Sequence, residues 1–179
     1  KALSMISDLP ISKEKLKGGE NLTYRLVVGS KIYLKLDKNR KSLRMAQLAM
    51  KRTLNVDTLL LMAEVRIHRE QYDSARAILR RCRELMPENP WIYQLAAEIN
   101  YKTDHKDLAY SNLVHAINCR PRDANNLVRV AHLLILLDKR DMARDVVRIV
   151  QHMSPEYPLS LELKNLIEAP RPLEKMFAE

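Results

Sequence analysis

A 34-residue spacing separates Pro87, Pro121 and Pro155, and it constrains the fold more than any other feature of the sequence. Small residues recur at the same interval in two columns, and bulky apolar residues recur in two more. These columns are Ala63, Ala97 and Ala131; Ala75, Ala109 and Ala143; Leu59, Tyr93 and Leu127; and Leu79, Leu113 and Val147. A fixed period of this length is the signature of a stack of repeated structural units.

Each repeat contains two runs of apolar residues with helical spacing. In the first repeat one run begins at Leu59 and the other at Ala75, and both follow the three- and four-residue steps of an amphipathic helix. The second helix of each repeat is expected to be capped by an aspartate, namely Asp73, Asp107 and Asp141. The column alanines are expected where two helices cross closely, because only a small side chain fits there.

This pattern resembles the tetratricopeptide repeat family, whose helix-turn-helix unit carries small residues at the same two places and a terminal proline. The resemblance covers three repeats: 56–89, 90–123 and 124–157. It implies an all-α fold, a right-handed superhelical solenoid of antiparallel helix pairs. The sequence departs from the family because Glu70, Asp104 and Asp138 stand where the turn glycine is usual. The three repeats are therefore divergent.

Residues 21–55 resemble a degenerate fourth repeat. Gly29 lies one full period before Ala63, and the second-helix pattern follows one position late, which predicts a single insertion in the turn. The residues of that pattern are Ser42, Ala46 and Ala49. The stretch Tyr24–Leu34 is rich in β-branched and aromatic residues, which leaves a strand as the alternative. We favour a helix because a repeat stack needs a neighbour to cover its first face.

The two ends of the chain carry weaker patterns. Residues 158–168 are expected to form a helix that caps the last repeat, and 169–179 to form a tail. Residues 1–20 are interpreted as a lead-in segment or the end of another module. The sequence begins at Lys1 and its first residues lack the apolar segment of a secretory signal, so we expect a fragment of a longer, cytoplasmic protein.

The residues that usually carry catalysis or bind metals are scattered. Five histidines show no zinc spacing, and the serines lie in no nucleophile elbow. With three glycines there is no phosphate-binding loop. Cys82 and Cys119 are interpreted as buried free thiols, although a single disulfide is the alternative. We therefore expect no enzyme, no cofactor and no metal site.

The resemblance implies that the first helices line a concave groove that binds a peptide or a helix of a partner protein. The predicted groove residues are Asp57, Leu60, Leu61, Glu64, His68, Trp91, Gln94, Leu95, Glu98, Tyr101, Lys102, Asn125, Val128, Arg129 and His132. Trp91 is the best candidate for a dominant contact, and packing beneath the turn at Pro90 is its alternative role. Repeat proteins that grip the C-terminal tails of heat-shock chaperones use a Lys/Asn/Arg clamp. Only Arg129 has that chemistry here, so we do not expect chaperone tails as partners.

The net charge of +9 belongs to the first third of the chain. Residues 1–55 carry 13 basic and 4 acidic groups, whereas 56–123 and 124–179 are each balanced. The predicted basic patch consists of Lys31, Lys35, Lys38, Arg40, Lys41, Arg44, Lys51 and Arg52. A solvated helix face, an acidic protein partner, a nucleic acid and an anionic lipid all remain open, because charge alone does not specify a partner.

These observations favour a non-catalytic protein-interaction module, an adaptor within a larger assembly. The alternative is a nucleic-acid-associated helical repeat that uses the basic patch. A homo-oligomeric scaffold, built through an uncovered terminal helix, is a third hypothesis.

Overall fold

The computed structural model describes residues 19–155 together with 162, 164, 165, 167 and 168. It divides into an N-terminal unit, Lys1–Pro87, and a C-terminal unit, Glu88–Glu179. Within the described residues every regular element is a helix. The predicted tail lies outside the described residues, as does the predicted lead-in segment except for Gly19 and Glu20, which begin the first helix.

Four helices form the described part of the N-terminal unit: α1 (Gly19–Lys35), α2 (Asn39–Arg52), α3 (Val56–His68) and α4 (Tyr72–Leu85). Consecutive helices pack as pairs, α1 with α2 and α3 with α4. One core cluster consists of Leu34, Ala46, Leu61, Met62 and Val65, and Ile78 of α4 packs against it. Residues Tyr24–Leu34 lie inside α1, so the helix favoured for this stretch is the observed structure.

The C-terminal unit contains α5 (Pro90–Lys102), α6 (Lys106–Asn118), α7 (Ala124–Leu136) and α8 (Arg140–Met153). Its core cluster is formed largely by α7 and α8, with Ala97, Leu113 and Ala116 contributed by the preceding pair. The described residues of the predicted capping segment are helical. Among them Ile167 is buried in this core, and its carbonyl accepts a hydrogen bond of 3.2 Å from Arg140 Nη1.

The turn inside each helix pair has one geometry. The residue after the C-cap adopts a positive φ of 52–59°, and the following N–H donates to a carbonyl five residues back, as in a Schellman motif. The residues with positive φ are Asp37, Glu70, Asp104 and Asp138. Three of these are the positions where the sequence lacks the family's glycine. The glycine conformation is therefore kept although the glycine is not, at a cost to any residue with a Cβ.

The aspartates predicted to cap the second helices do not do so. The N-cap residues of α4, α6 and α8 are Gln71, His105 and Lys139, and none makes a side-chain capping bond. The reason is the tight turn, in which the residue after the positive φ is already the N-cap. Asp73, Asp107 and Asp141 therefore lie in the first helical turn, where their charge favours the helix dipole.

Side-chain caps instead occur on the first helices, in a column that sequence reasoning missed. Asn55 Oδ1 accepts from the Thr58 N–H at 2.9 Å, Asn89 Oδ1 from the Trp91 N–H at 3.0 Å, and Asp123 Oδ1 from the Asn126 N–H at 3.1 Å. The three capping residues are spaced by the repeat period. The sequence therefore contains a recurring Asn or Asp directly before each of these first helices, which could have predicted the caps.

The degenerate repeat, residues 21–55, precedes the next repeat by one residue less than the full period, and its turn contains no insertion. Ser30, not Gly29, lies opposite Ser42: their hydroxyls are 2.9 Å apart, and each hydroxyl donates to the other's carbonyl at 3.0 Å. Both serines are fully buried, and they precede Ala63 and Ala75 by this same shortened offset. A Cβ on Gly29 would meet no atom within 4 Å, so no close approach requires that glycine.

The missing residue is in the connection between repeats. Three residues separate Arg52 from Val56, whereas four separate Leu85 from Pro90. This connection also lacks the proline that follows α4. The prediction of a turn insertion was therefore wrong, and a shorter link between repeats accounts for the shift.

Glu70→Gly is expected to stabilise the protein by about 0.5–1 kcal/mol, because glycine removes the Cβ penalty at positive φ while adding some entropy to the unfolded chain. Urea denaturation of the two proteins measures the difference. Ala77→Gly in the middle of α4 is the control and should destabilise by about 1 kcal/mol, because Ala77 is an exposed residue of the helix interior. If both variants changed the free energy of unfolding in the same direction, the proposed strain at Glu70 would be contradicted.

Asn126→Leu is expected to raise the free energy of unfolding by about 1–2 kcal/mol. Asn126 is fully buried, and neither its Oδ1 nor its Nδ2 has a hydrogen-bond partner among the described residues. The preceding repeat has the buried Ile92 at this position. Asn112→Leu is the control, because Asn112 Nδ2 donates to the Leu108 carbonyl at 2.8 Å and its loss should bring no gain. A less stable Asn126 variant would overturn this explanation.

Candidate partner-binding site

Trp91 is held at the start of α5 by a residue from the start of α7. Its indole Nε1 donates to Asp123 Oδ2 at 3.2 Å, while the other carboxylate oxygen caps α7 through the Asn126 N–H. Two caps therefore position the ring, since Asn89 fixes the first turn of α5 and Asp123 fixes that of α7. Trp91 remains half-buried, which leaves part of the ring open to a partner.

Arg129 joins the same two helices from six residues further along the chain, on α7. Its guanidinium carbon lies 5.5 Å from the Trp91 ring centre, a cation–π arrangement, and its Nη2 lies 3.1 Å from Glu98 Oε2. The Glu98 side chain is only 15% exposed and that of Arg129 32%, so the pair is partly shielded from water. Gln94 Nε2 also donates to Glu98 Oε2, at 3.4 Å. We call Trp91, Gln94, Glu98, Asp123 and Arg129 the Trp91 cluster.

Most polar groups of the Trp91 cluster form hydrogen bonds or ion pairs with one another. Arg129 is neutralised by Glu98, so the one residue compatible with a chaperone-tail clamp is already paired within the protein. Gln94 Oε1 is buried without a hydrogen-bond partner among the described residues. The accessible chemistry is therefore an aromatic surface with fixed polar groups at its edge.

The structure divides the predicted groove residues of the C-terminal unit into two groups. Half-buried or exposed side chains belong to Trp91, Glu98, Tyr101, Lys102, Asn125, Arg129 and His132. Buried side chains belong to Gln94, Leu95 and Val128. Placing these three on an open groove wall was wrong, because α5 and α7 pack on each other as well as on their own partner helices. The half-buried and exposed residues of the first group therefore form a narrow stripe along α5 and α7, which we call the exposed stripe.

A similar correction applies to the N-terminal unit. Leu60 and Leu61 are buried, and Leu61 belongs to the core cluster, whereas Asp57, Glu64 and His68 are exposed or half-buried. Asp123 is the one member of the Trp91 cluster that sequence reasoning did not select. Its position directly before an amphipathic run is typical of a helix cap and could have identified it as one. Nothing in the sequence indicates its hydrogen bond to Trp91.

The predicted basic patch lies on α1, α2 and the turn between them. Seven of its eight residues are exposed, and Lys38 is half-buried. Lys41 Nζ lies 5.7 Å from the ring centre of Tyr33, which is itself buried.

Both cysteines are buried and free, as one of the two interpretations of the sequence had them. Burial raises the pKa of the Cys82 thiol, and burial together with the nearby Glu88 carboxylate raises the pKa of the Cys119 thiol. Both are therefore protonated at neutral pH, which is the unreactive form. In the part of the chain that the structure describes, no three His, Cys, Asp or Glu side chains come together as metal ligands.

No protein-family profile and no curated protein sequence matches this chain. Similarity is found among solved structures. TTC0263, described as a thermophilic TPR protein of Thermus thermophilus, superposes with a TM-score of 0.64 at 16% identity, over 87% of this chain and 82% of that one. The chain has a tetratricopeptide-repeat fold. MamA MSR-1 aligns at 17% identity over 86% of both chains, with a TM-score of 0.48.

None of the described helices combines the length and the apolar character that a membrane crossing requires.

The ion pair between Arg129 and Glu98 is expected to contribute a coupling free energy of about 1 kcal/mol, because it is partly shielded and supported by a second donor. A double-mutant cycle with Glu98→Gln and Arg129→Gln, followed by urea denaturation, measures this coupling.

The pair Arg148–Asp145 is the control for that cycle. Its side chains are 69% and 68% exposed, so its coupling should stay below about 0.5 kcal/mol. Equal couplings in the two cycles would show that the Trp91 cluster is no more rigid than an ordinary surface pair.

Proposed function

We propose that this chain is a non-catalytic protein-interaction module that binds a peptide or a helix of a partner protein on the exposed stripe of α5 and α7. The observation that carries the proposal is the fixed, half-buried Trp91. Asp123 and Arg129 hold its ring from a second helix, so little conformational freedom is lost when a partner packs against it. Tryptophan and arginine are also the residues that most often dominate binding energy.

The chemistry of the stripe indicates the kind of segment that it would bind. Trp91 and Tyr101 offer aromatic surface, while Asn125 and His132 are exposed polar groups on the adjacent helix. An amphipathic segment with one or two apolar anchors fits this mixture better than an acidic tail, because Arg129 is already paired with Glu98.

Peptide selection followed by fluorescence tests the proposal. Peptides would be selected on the 179-residue chain from a random library, and their affinity measured for the wild type and for Trp91→Ala. We expect a loss of at least about tenfold with Trp91→Ala. Trp91 is the only tryptophan, so its emission should also change as a selected peptide binds to the wild type.

Leu108→Ala is the matched control, since Leu108 is a large exposed apolar residue on α6, outside the stripe. It should leave the affinity unchanged. Selected peptides that bind equally to Trp91→Ala and leave the wild-type emission unchanged would overturn the proposal. Circular dichroism of each variant checks that the fold is intact.

A further inference from the structure

The surface of α2 carries an unbalanced charge. The helix contains five cations and no acidic residue. All five are exposed: Arg40, Lys41, Arg44, Lys51 and Arg52. Among the described residues none of the five has a carboxylate within ion-pairing distance. The last second helix, α8, is different, because Arg144 pairs with Asp141 at 2.7 Å and Arg148 with Asp145 at 3.0 Å.

The charge of α2 also opposes the stability of its own helix. The degenerate repeat is shifted by one residue, so Arg40 of α2 corresponds to Asp73 of α4. A cation therefore stands in the first turn of α2, where the other second helices have an aspartate. Two cations, Arg40 and Lys41, thus lie at the positive end of the helix dipole, where positive charge destabilises the helix. Local rules of stability are most often broken where a residue serves binding.

An exposed leucine lies within these cations. Leu48 is 43% exposed, and helical spacing places it one turn after Arg44 and one turn before Lys51 and Arg52. Leu54, which follows the helix, is 58% exposed. The face of α2 therefore combines a dense positive charge with an apolar contact at its centre.

We propose that this face of α2 is a second docking surface, which binds an acidic amphipathic segment of a partner protein. Carboxylates of the partner complement the cations, and an apolar side chain of the partner packs on Leu48. An anionic partner also removes the conflict between Arg40, Lys41 and the helix dipole. The proposal is independent of the Trp91 cluster, which belongs to the other unit.

The apolar centre favours a protein over a nucleic acid. A phosphate backbone would use the cations alone, and its affinity would depend only on charge and salt. An acidic helix with leucines at three- and four-residue spacing would use both the charge and Leu48. The two kinds of partner therefore differ in how they respond to a change at Leu48.

The experiment measures fluorescence anisotropy with the 179-residue chain and three labelled probes. One probe is an acidic helical peptide with a leucine stripe, the second has the same charge with glutamine in place of leucine, and the third is a single-stranded oligonucleotide. We expect the leucine peptide to bind most tightly. Arg44→Glu combined with Lys51→Glu should weaken its binding by about tenfold or more. Leu48→Ser should weaken it by about fivefold, and this loss should persist at high salt.

Lys106→Glu combined with Lys164→Glu is the matched charge control, since both are exposed lysines of the other unit. It should change the affinity by less than the pair of reversals on α2. The proposal is overturned if the glutamine peptide binds as tightly as the leucine peptide. Tighter binding of the oligonucleotide, insensitive to Leu48→Ser, would also overturn it and identify a phosphate-binding face. Circular dichroism of every variant checks the helix content.

Discussion

The close crossing of the two helices in each pair is the constraint on which the rest of the fold depends. In the first pair the crossing is seen directly, since the hydroxyls of Ser30 and Ser42 meet at 2.9 Å with both side chains fully buried. The later repeats have alanine at the equivalent places, and all six of those alanines are fully buried. A larger side chain would push the two helices apart. Serine is tolerated in the first pair because each hydroxyl donates a hydrogen bond to the carbonyl of the other serine.

The turn between the paired helices contributes the second constraint. A single residue at positive φ reverses the chain, and the residue that follows it is already the N-cap of the second helix. The N-cap residues that follow these turns make no side-chain capping bond, whereas Asn55, Asn89 and Asp123 cap the first helices.

Much of the fold could be predicted from the sequence, because burial at a crossing selects residue types in a regular column. The column alanines, both helices of each repeat and the tetratricopeptide-repeat resemblance all came from the 34-residue period, and TTC0263 confirms the fold. The period was less informative about the degenerate repeat at residues 21–55. An unchanged period predicts the crossing at Gly29, whereas a connection shorter by one residue places it at Ser30.

The candidate site was harder to predict, because a repeat position does not reveal which side of a first helix stays open. Leu61 and Leu95 were assigned to the groove by position, but neighbouring helices bury them. The bond between Trp91 and Asp123 joins residues 32 positions apart, and its formation depends on the packing of α5 on α7 rather than on any local pattern.

The carboxylate of Asp123 has a consequence for how the site responds to force or to a ligand. One oxygen closes the first turn of α7, and the other holds the indole of Trp91. The aromatic ring and the backbone of the next helix are therefore mechanically linked through a single side chain. A ligand that displaced the ring would therefore strain a hydrogen bond to the residue that caps the first helix of the next repeat.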